Sequence, residues 1–173
     1  MSDEPNNEPT NNVEASVGGV TQTVTATLPI HLLFKHPRYY ELVVSASHLR
    51  EDHPEAAVVM AQSAVEVFVA RAFDALLIHH GVDDTIRQPL ARCIPDHTFQ
   101  DRETCRLWHA LTGERIKTAP TWKRFDEEVE RRNRVIHAGE AVTPVDATAA
   151  IEACVGLIKH MQDVLRRLLR PND

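Results

Sequence analysis

Residues 130–140, ERRNRVIHAGE, hold the side chains of this sequence that are best suited to chemistry. Arg132, Asn133 and His137 fall near the end of a predicted helix. Arginine carries a fixed charge and several N–H donors, and histidine exchanges protons near neutral pH. Asn133 and His137 are four residues apart, so one lies above the other on the helix.

Arg132 falls on the apolar face of this helix, which makes it unusual. A guanidinium is costly to bury unless it is paired or faces a wet interface. Arg132 and His137 lie about 140° apart on an ideal helix, so the arginine must bend or the last turn must open if the two are to meet. The apolar seam is predicted to comprise Trp122, Phe125, Val129 and Ile136.

The segment resembles the signature of the HEPN superfamily (higher eukaryotes and prokaryotes nucleotide-binding domains). That signature is an Arg, four to six residues and then a His, commonly with a polar residue after the Arg. Here it stands as Arg132-Asn133-Arg134-Val135-Ile136-His137, and Ala138-Gly139 resembles the small-residue exit that follows it. The resemblance extends over about residues 37–170, as a helix pair, a buried second helix, the motif helix and a long closing helix.

The resemblance implies a metal-independent endoribonuclease without a cofactor, whose site lies between two protomers. By this analogy His137 is the general acid or base and Arg132 holds the scissile phosphate, while Asn133 orients either His137 or the phosphate. The reaction uses the ribose 2′-OH and leaves a 2′,3′-cyclic phosphate, so DNA is spared. The implied partners are RNA, a second copy of the chain and a protein regulator or antitoxin, in toxin–antitoxin or antiviral defence.

Several residues near the motif have competing interpretations. Arg131 and Arg134 are candidate RNA-phosphate contacts, but ion pairs four residues along the helix, with Glu127 and Glu130, also explain them. Glu66 is a candidate supporting residue, but a buried glutamate on the second helix is more often a structural partner for an arginine. Arg132 itself is alternatively a partner of Glu66 or Glu128, and the domain is then a non-catalytic dimerisation, partner-binding or nucleotide-binding module.

A second cluster of residues suggests a weaker hypothesis. Cys93, His97, Cys105 and His109 form a C-x3-H-x7-C-x3-H array, which is chemically a possible tetrahedral zinc set. Its spacing differs from that of known zinc fingers, and the ten histidines in the chain make a coincidence easy. The main prediction therefore includes no metal.

The elements that position the motif follow from apolar periodicity. We predict helices over about 37–50, 54–80, 101–111, 121–138 and 144–168, with residues 82–100 as a loop. The second should be the most buried, with a narrow polar stripe formed by Glu55, Gln62 and Glu66. The prediction is an all-α, HEPN-like bundle of four to five helices over residues 37–173.

The N-terminal segment is predicted to differ from the rest of the chain. Residues 1–16 carry four acids and no base, which favours disorder. Residues 17–36 are predicted as a β-like extension, because apolar residues alternate with threonine from Val20 to Leu28. The partner of this strand cannot be identified, and it is alternatively a strand that adds to a binding partner.

Composition limits the classes of function. The 173 residues have a net charge of −6, but four of the acids precede residue 31, so the remainder has 21 acids against 19 bases and a charge of only −2. This excludes broad electrostatic capture of nucleic acid, and it leaves either a narrow, local phosphate site or no nucleic-acid ligand at all. Three irregularly spaced cysteines and the lack of an evident signal peptide or membrane span predict a cytoplasmic protein.

Overall fold

The structure is a computed structural model, and it describes residues 12–17, 20–25, 38–93 and 98–169. Within these residues, six α-helices follow two short strands, and a 3-10 turn precedes the fifth helix. In chain order the elements are β1 Asn12–Val17, β2 Val20–Thr25, α1 Arg38–Leu49, α2 Pro54–His79, α3 Asp84–Cys93, α4 Arg102–Thr112, the 3-10 turn Ile116–Thr118, α5 Trp122–Ala138 and α6 Pro144–Leu168. The predicted helical bundle is confirmed, with one helix more than expected.

The additional helix is α3, which lies in the predicted loop 82–100, so that prediction is wrong for residues 84–93. The carboxylate of Asp83 accepts a hydrogen bond from the N–H of Thr85 at 2.8 Å, which caps the start of the helix. Arg87 then forms an ion pair with Asp74 of α2 at 2.6 Å. These contacts stabilise a helix although it contains Pro89. Proline usually disrupts a helix interior, and for this reason the segment was predicted as a loop.

The N-terminal strands form an antiparallel hairpin, with Asn12 opposite Thr25 and Val17 opposite Val20. Residues 12–16, which were predicted as part of the disordered segment, lie in β1, and residues 1–11 lie outside the described ones. β2 covers part of the predicted extension, of which residues 26–36 are not described. The partner strand could have been predicted from the sequence, because Gly18-Gly19 is a common two-residue connection between the strands of a hairpin.

α2 is the central helix of the bundle, as predicted, and it packs mainly against α1 and α6. Its length and composition would also allow it to cross a membrane, which corrects the expectation that no segment could do so. However, 56% of its most apolar window is buried inside the protein, as in the core helix of a soluble domain. Of its predicted polar stripe, Gln62 is buried, and Glu55 accepts a hydrogen bond from the N–H of Val142 at 3.2 Å.

Five aromatic rings connect α2, α4 and α5 in one part of the core. Successive rings lie edge-on or tilted, with centroids 5.5 to 6.5 Å apart. This arrangement fixes the turn before α4 against the start of α5. The rings belong to Phe73, Phe99, Trp108, Trp122 and Phe125.

α6 begins with the predicted capping box. Oγ1 of Thr143 accepts a hydrogen bond from the N–H of Asp146 at 3.2 Å, and the Asp146 carboxylate accepts one from the N–H of Thr143 at 3.2 Å. The Thr143 hydroxyl also donates to this carboxylate at 2.6 Å. These bonds satisfy donors that a helix N-terminus otherwise leaves unpaired.

The capping box should make stability depend on pH. Hydrogen bonds from the Thr143 hydroxyl and N–H hold the pKa of Asp146 below its usual value. The ionised carboxylate therefore stabilises the fold above the unfolded pKa of about 3.9, and this is lost as pH falls through the folded value. We expect Asp146→Asn to be less stable than wild type at pH 7, with a difference that shrinks below about pH 4.

Urea denaturation at pH 7, 4 and 2 measures this difference. Asp163→Asn is the matched control, because Asp163 is an exposed acid of the same helix that pairs only with Arg166 among the described residues. It should change the free energy of unfolding little at any pH. A difference for Asp146→Asn that stays constant from pH 7 to pH 2 would contradict the assignment.

Candidate functional site

Arg132 lies in a cleft formed by α2, α5 and the turn that precedes α4. On α5, Trp122, Phe125 and Val129 are buried as predicted, and the partly buried Arg132 continues their face. The cleft has a volume of about 540 Å³. Its lining residues are Glu66, Val67, Ala70, Thr98, Gln100, Arg132 and Asn133.

The Arg132 guanidinium has few partners within the described part of the chain. Nη1 donates one hydrogen bond, to Oδ1 of Asn133 at 3.3 Å. Nε is buried and has no hydrogen-bond partner among the described residues. Since an arginine has five N–H donors, most of its capacity remains for a ligand. A phosphate or carboxylate is the ligand that suits it best.

His137 does not share this cleft in a single chain. It lies in the last turn of α5, is exposed and is not among the residues that line the cleft. Gly139 ends the helix with a φ of 63°, a left-handed conformation that glycine adopts readily, and its N–H donates to the carbonyl of Val135 at 3.2 Å. The predicted exit from the motif is thus a helix end.

The predicted apolar seam does not stay buried as far as Ile136, whose exposed fraction is 45%. The face that is buried through Val129 becomes accessible in the last turn of α5, where His137 and Ala138 are exposed as well. An isoleucine beside an exposed histidine makes the end of α5 partly apolar. This surface includes part of the motif.

Arg131 and Arg134 are already neutralised by acids. Arg131 pairs with the buried Glu128 at 2.9 Å and with Asp146 of α6 at 2.9 Å. Arg134 pairs with Glu140 at 2.6 Å. Ion pairing therefore occupies both residues, and it leaves them less free to contact RNA.

The partners in these pairs differ from the predicted ones. We expected Glu127 and Glu130 at four-residue spacing, but Glu127 instead lies 3.9 Å from Lys123. Glu128 lies three residues before Arg131 on the same helix, whereas Asp146 on the next helix and Glu140 after Gly139 lie beyond the reach of a single-helix rule. Glu128 pairs with Arg131, so the alternative in which it pairs with Arg132 is not observed.

The cleft also contains residues that the sequence analysis missed. Thr98 and Gln100 fall in the predicted loop, where no periodicity indicates a position. Gln100 is attached to α5 by a hydrogen bond from Nε2 to Oδ1 of Asp126 at 2.9 Å. Glu66, the predicted supporting residue, does line the cleft with Arg132.

The zinc hypothesis gains no support from the described residues. Among them no group of three or more His, Cys, Asp or Glu side chains is placed to hold a metal. Cys105 and His109 line the same groove on α4, whereas the side chain of Cys93 and all of His97 lie outside the described residues. Burial raises the pKa of the Cys105 thiol, which donates to the Phe99 carbonyl at 3.1 Å.

No family model, curated protein or solved structure matches the chain. The resemblance to the HEPN superfamily therefore rests on the residues of the motif and on the order of the helices. Membership of that superfamily is accordingly a proposal for experiment to test.

Proposed function

We propose that this protein is a metal-independent endoribonuclease of the HEPN type. It cleaves RNA by attack of the ribose 2′-OH on the adjacent phosphate, at a site between two copies of the chain. A cytoplasmic location and a role in toxin–antitoxin or antiviral defence belong to the same proposal. The observation that carries it is the partly buried Arg132, which lines a cleft and donates a single hydrogen bond within the described residues.

The cleft has the character expected of a phosphate site. A partly buried guanidinium is costly to keep without an anion, and a phosphate offers several acceptor oxygens to its planar fork. Asn133 lies beside it and accepts its hydrogen bond, which fixes the direction of the fork. Arg132 would thus hold the scissile phosphate and offset the charge that develops on it in the transition state.

His137 supplies the proton transfer in this proposal. It takes the proton from the 2′-OH or gives one to the leaving 5′-oxygen, as imidazole can do near neutral pH. In a single chain it lies outside the Arg132 cleft, on an exposed helix end. A second copy of the chain, packed through this end of α5, would bring its His137 to the Arg132 of the first.

The experiment is a digestion of RNA by the purified full chain in the presence of EDTA. A labelled RNA oligonucleotide and a DNA of the same sequence are incubated in parallel, and the product ends are identified by mass spectrometry. We expect cleavage of RNA only, with 2′,3′-cyclic phosphate and 5′-hydroxyl ends. Intact RNA, or equal cleavage of DNA, would contradict the proposal, because the reaction needs the 2′-OH.

A second candidate is a non-catalytic module that binds a nucleotide or a protein partner with the same surface. The observation that favours it is the position of His137 outside the cleft. RNA that binds to the protein and stays intact, with binding lost in Arg132→Gln, would favour this candidate.

A further inference from the structure

A second concave surface lies between α4 and the 3-10 turn that follows it. This basic groove has a volume of about 310 Å³ and lies outside the Arg132 cleft. Four fixed cations line it, and among the described residues no acid does. These cations are Arg102, Arg106, Arg115 and Lys117.

Two of the three acids of this part of the chain, residues 98–120, are engaged outside the groove. Asp101 caps α4 and accepts from the N–H of Thr104 at 2.7 Å. Glu114, beside Arg115 in sequence, instead pairs with Arg167 of α6 at 3.1 Å.

One acid reaches the rim of the groove. Glu103 pairs with Arg106 at 2.7 Å, across exposed side chains. The other three cations have no acidic partner within ion-pair distance among the described residues. The groove is therefore a local positive site on a chain with a net charge of −6.

The shape of the groove favours a nucleic-acid strand over a flat anionic membrane. Ile116 is buried, and Cys105 is half-buried with its thiol directed to the Phe99 carbonyl. Both lie in the groove lining, so the surface offers no protruding apolar side chain for insertion into lipid. A concave lining with apolar parts and cations suits a strand whose phosphates are charged and whose bases present flat π faces.

We propose that the basic groove binds the phosphate backbone of single-stranded RNA. The inference rests on the proposed function, since it places the strand next to the cleavage site. Gln100 lines the Arg132 cleft and Arg102, two residues later, lines the groove. In this proposal one strand contacts both, with the groove holding the nucleotides that flank the scissile phosphate.

The test measures binding separately from cleavage. The probe is a fluorescent 2′-O-methyl RNA dodecamer, which lacks the attacking hydroxyl, and its anisotropy is followed with wild-type protein at several salt concentrations. The groove variant is Arg102→Gln/Arg115→Gln/Lys117→Gln. We expect its Kd to rise about tenfold or more at low salt and the slope of log K against log salt to become shallower by about two, or about 0.7 for each lost phosphate contact.

A control variant carries the same change of charge elsewhere. Arg38→Gln/Arg50→Gln/Lys159→Gln removes three exposed cations of α1, its C-terminal end and α6, and it should leave Kd nearly unchanged. A second variant, Arg102→Lys/Arg115→Lys, keeps the charge and should keep the salt slope. Matching thermal melts of all variants exclude loss of the fold.

Three results would overturn the inference. They are an unchanged Kd in the groove variant, an equal loss in the control variant, or groove-dependent binding of phosphatidylserine vesicles without binding of the RNA. The proposed function is tested separately on unmodified RNA. If wild type leaves that RNA intact while the groove variant loses binding, ribonuclease activity fails and the groove stands. If wild type cleaves the RNA while the groove variant binds it as tightly as wild type does, the ribonuclease activity stands and the groove inference fails.

Discussion

Replacement of His137 by alanine is expected to lower the rate of RNA cleavage by a factor of about 10²–10⁴, the usual contribution of a general acid or base. The imidazole is exposed at the end of α5, so its removal leaves no cavity in the core. The loss should therefore appear in activity and not in stability. The measurement is the initial rate on a fluorescent RNA in EDTA, together with a thermal melt.

His48→Ala is the matched control for this prediction. His48 is also an exposed histidine near the end of a helix, on α1, and it should be replaceable without effect on the rate. Arg132→Lys provides a second comparison, because lysine keeps the charge but loses the planar fork. Equal cleavage by wild type and His137→Ala would eliminate His137 as the proton-transfer residue.

A site shared between two chains also predicts how a mixture of two inactive variants behaves. Arg132→Gln and His137→Ala should each be inactive alone. In an equal mixture of exchanging dimers, half are mixed and each keeps one of two complete sites, so about a quarter of wild-type activity should return. Light scattering should give twice the chain mass of 19.5 kDa. A mixture that stays inactive, or a protein that is monomeric at micromolar concentration, would contradict the dimer-interface site.

Local signals explain which helices were predictable. The start of α6 was evident from Thr143, Pro144 and Asp146, because a capping box is formed within four residues. The end of α5 was evident from Gly139 for the same reason. α3 depends on the ion pair between Arg87 and Asp74 of another helix. Sequence periodicity does not reveal such a tertiary contact, so this helix was not predicted.

The same distinction applies to the candidate site. The position of Arg132 on the buried face followed from its spacing to Val129 and Phe125, and the structure confirms that it is partly buried. Thr98 and Gln100 reach the cleft only because the chain folds back on α5, and nothing in their own segment indicates this. The basic groove could not be predicted from the sequence either, since its positive charge depends on which cation each nearby acid pairs with in the fold.

Trp108→Ala should have the largest effect on stability, a loss of about 3–5 kcal/mol in the free energy of unfolding. Trp108 is fully buried, and its ring lies edge-on to Phe73 at 6.1 Å and to Phe99 at 5.5 Å. Its removal leaves a cavity that these rings cannot close without moving. Urea denaturation at pH 7 measures the loss.

Trp108→Phe distinguishes the effect of the lost ring volume from the effect of the buried indole N–H. The Nε1 of Trp108 is buried and has no hydrogen-bond partner within the described part of the chain, so the indole carries a desolvation cost that phenylalanine avoids. We therefore expect this variant to lose much less stability than Trp108→Ala. Because Phe99 lies between Thr98 and Gln100, the alanine variant should also weaken RNA binding at the cleft, whereas the phenylalanine variant should preserve it. Equal losses of stability in the two variants would contradict this expectation, because phenylalanine fills part of the cavity that alanine leaves empty.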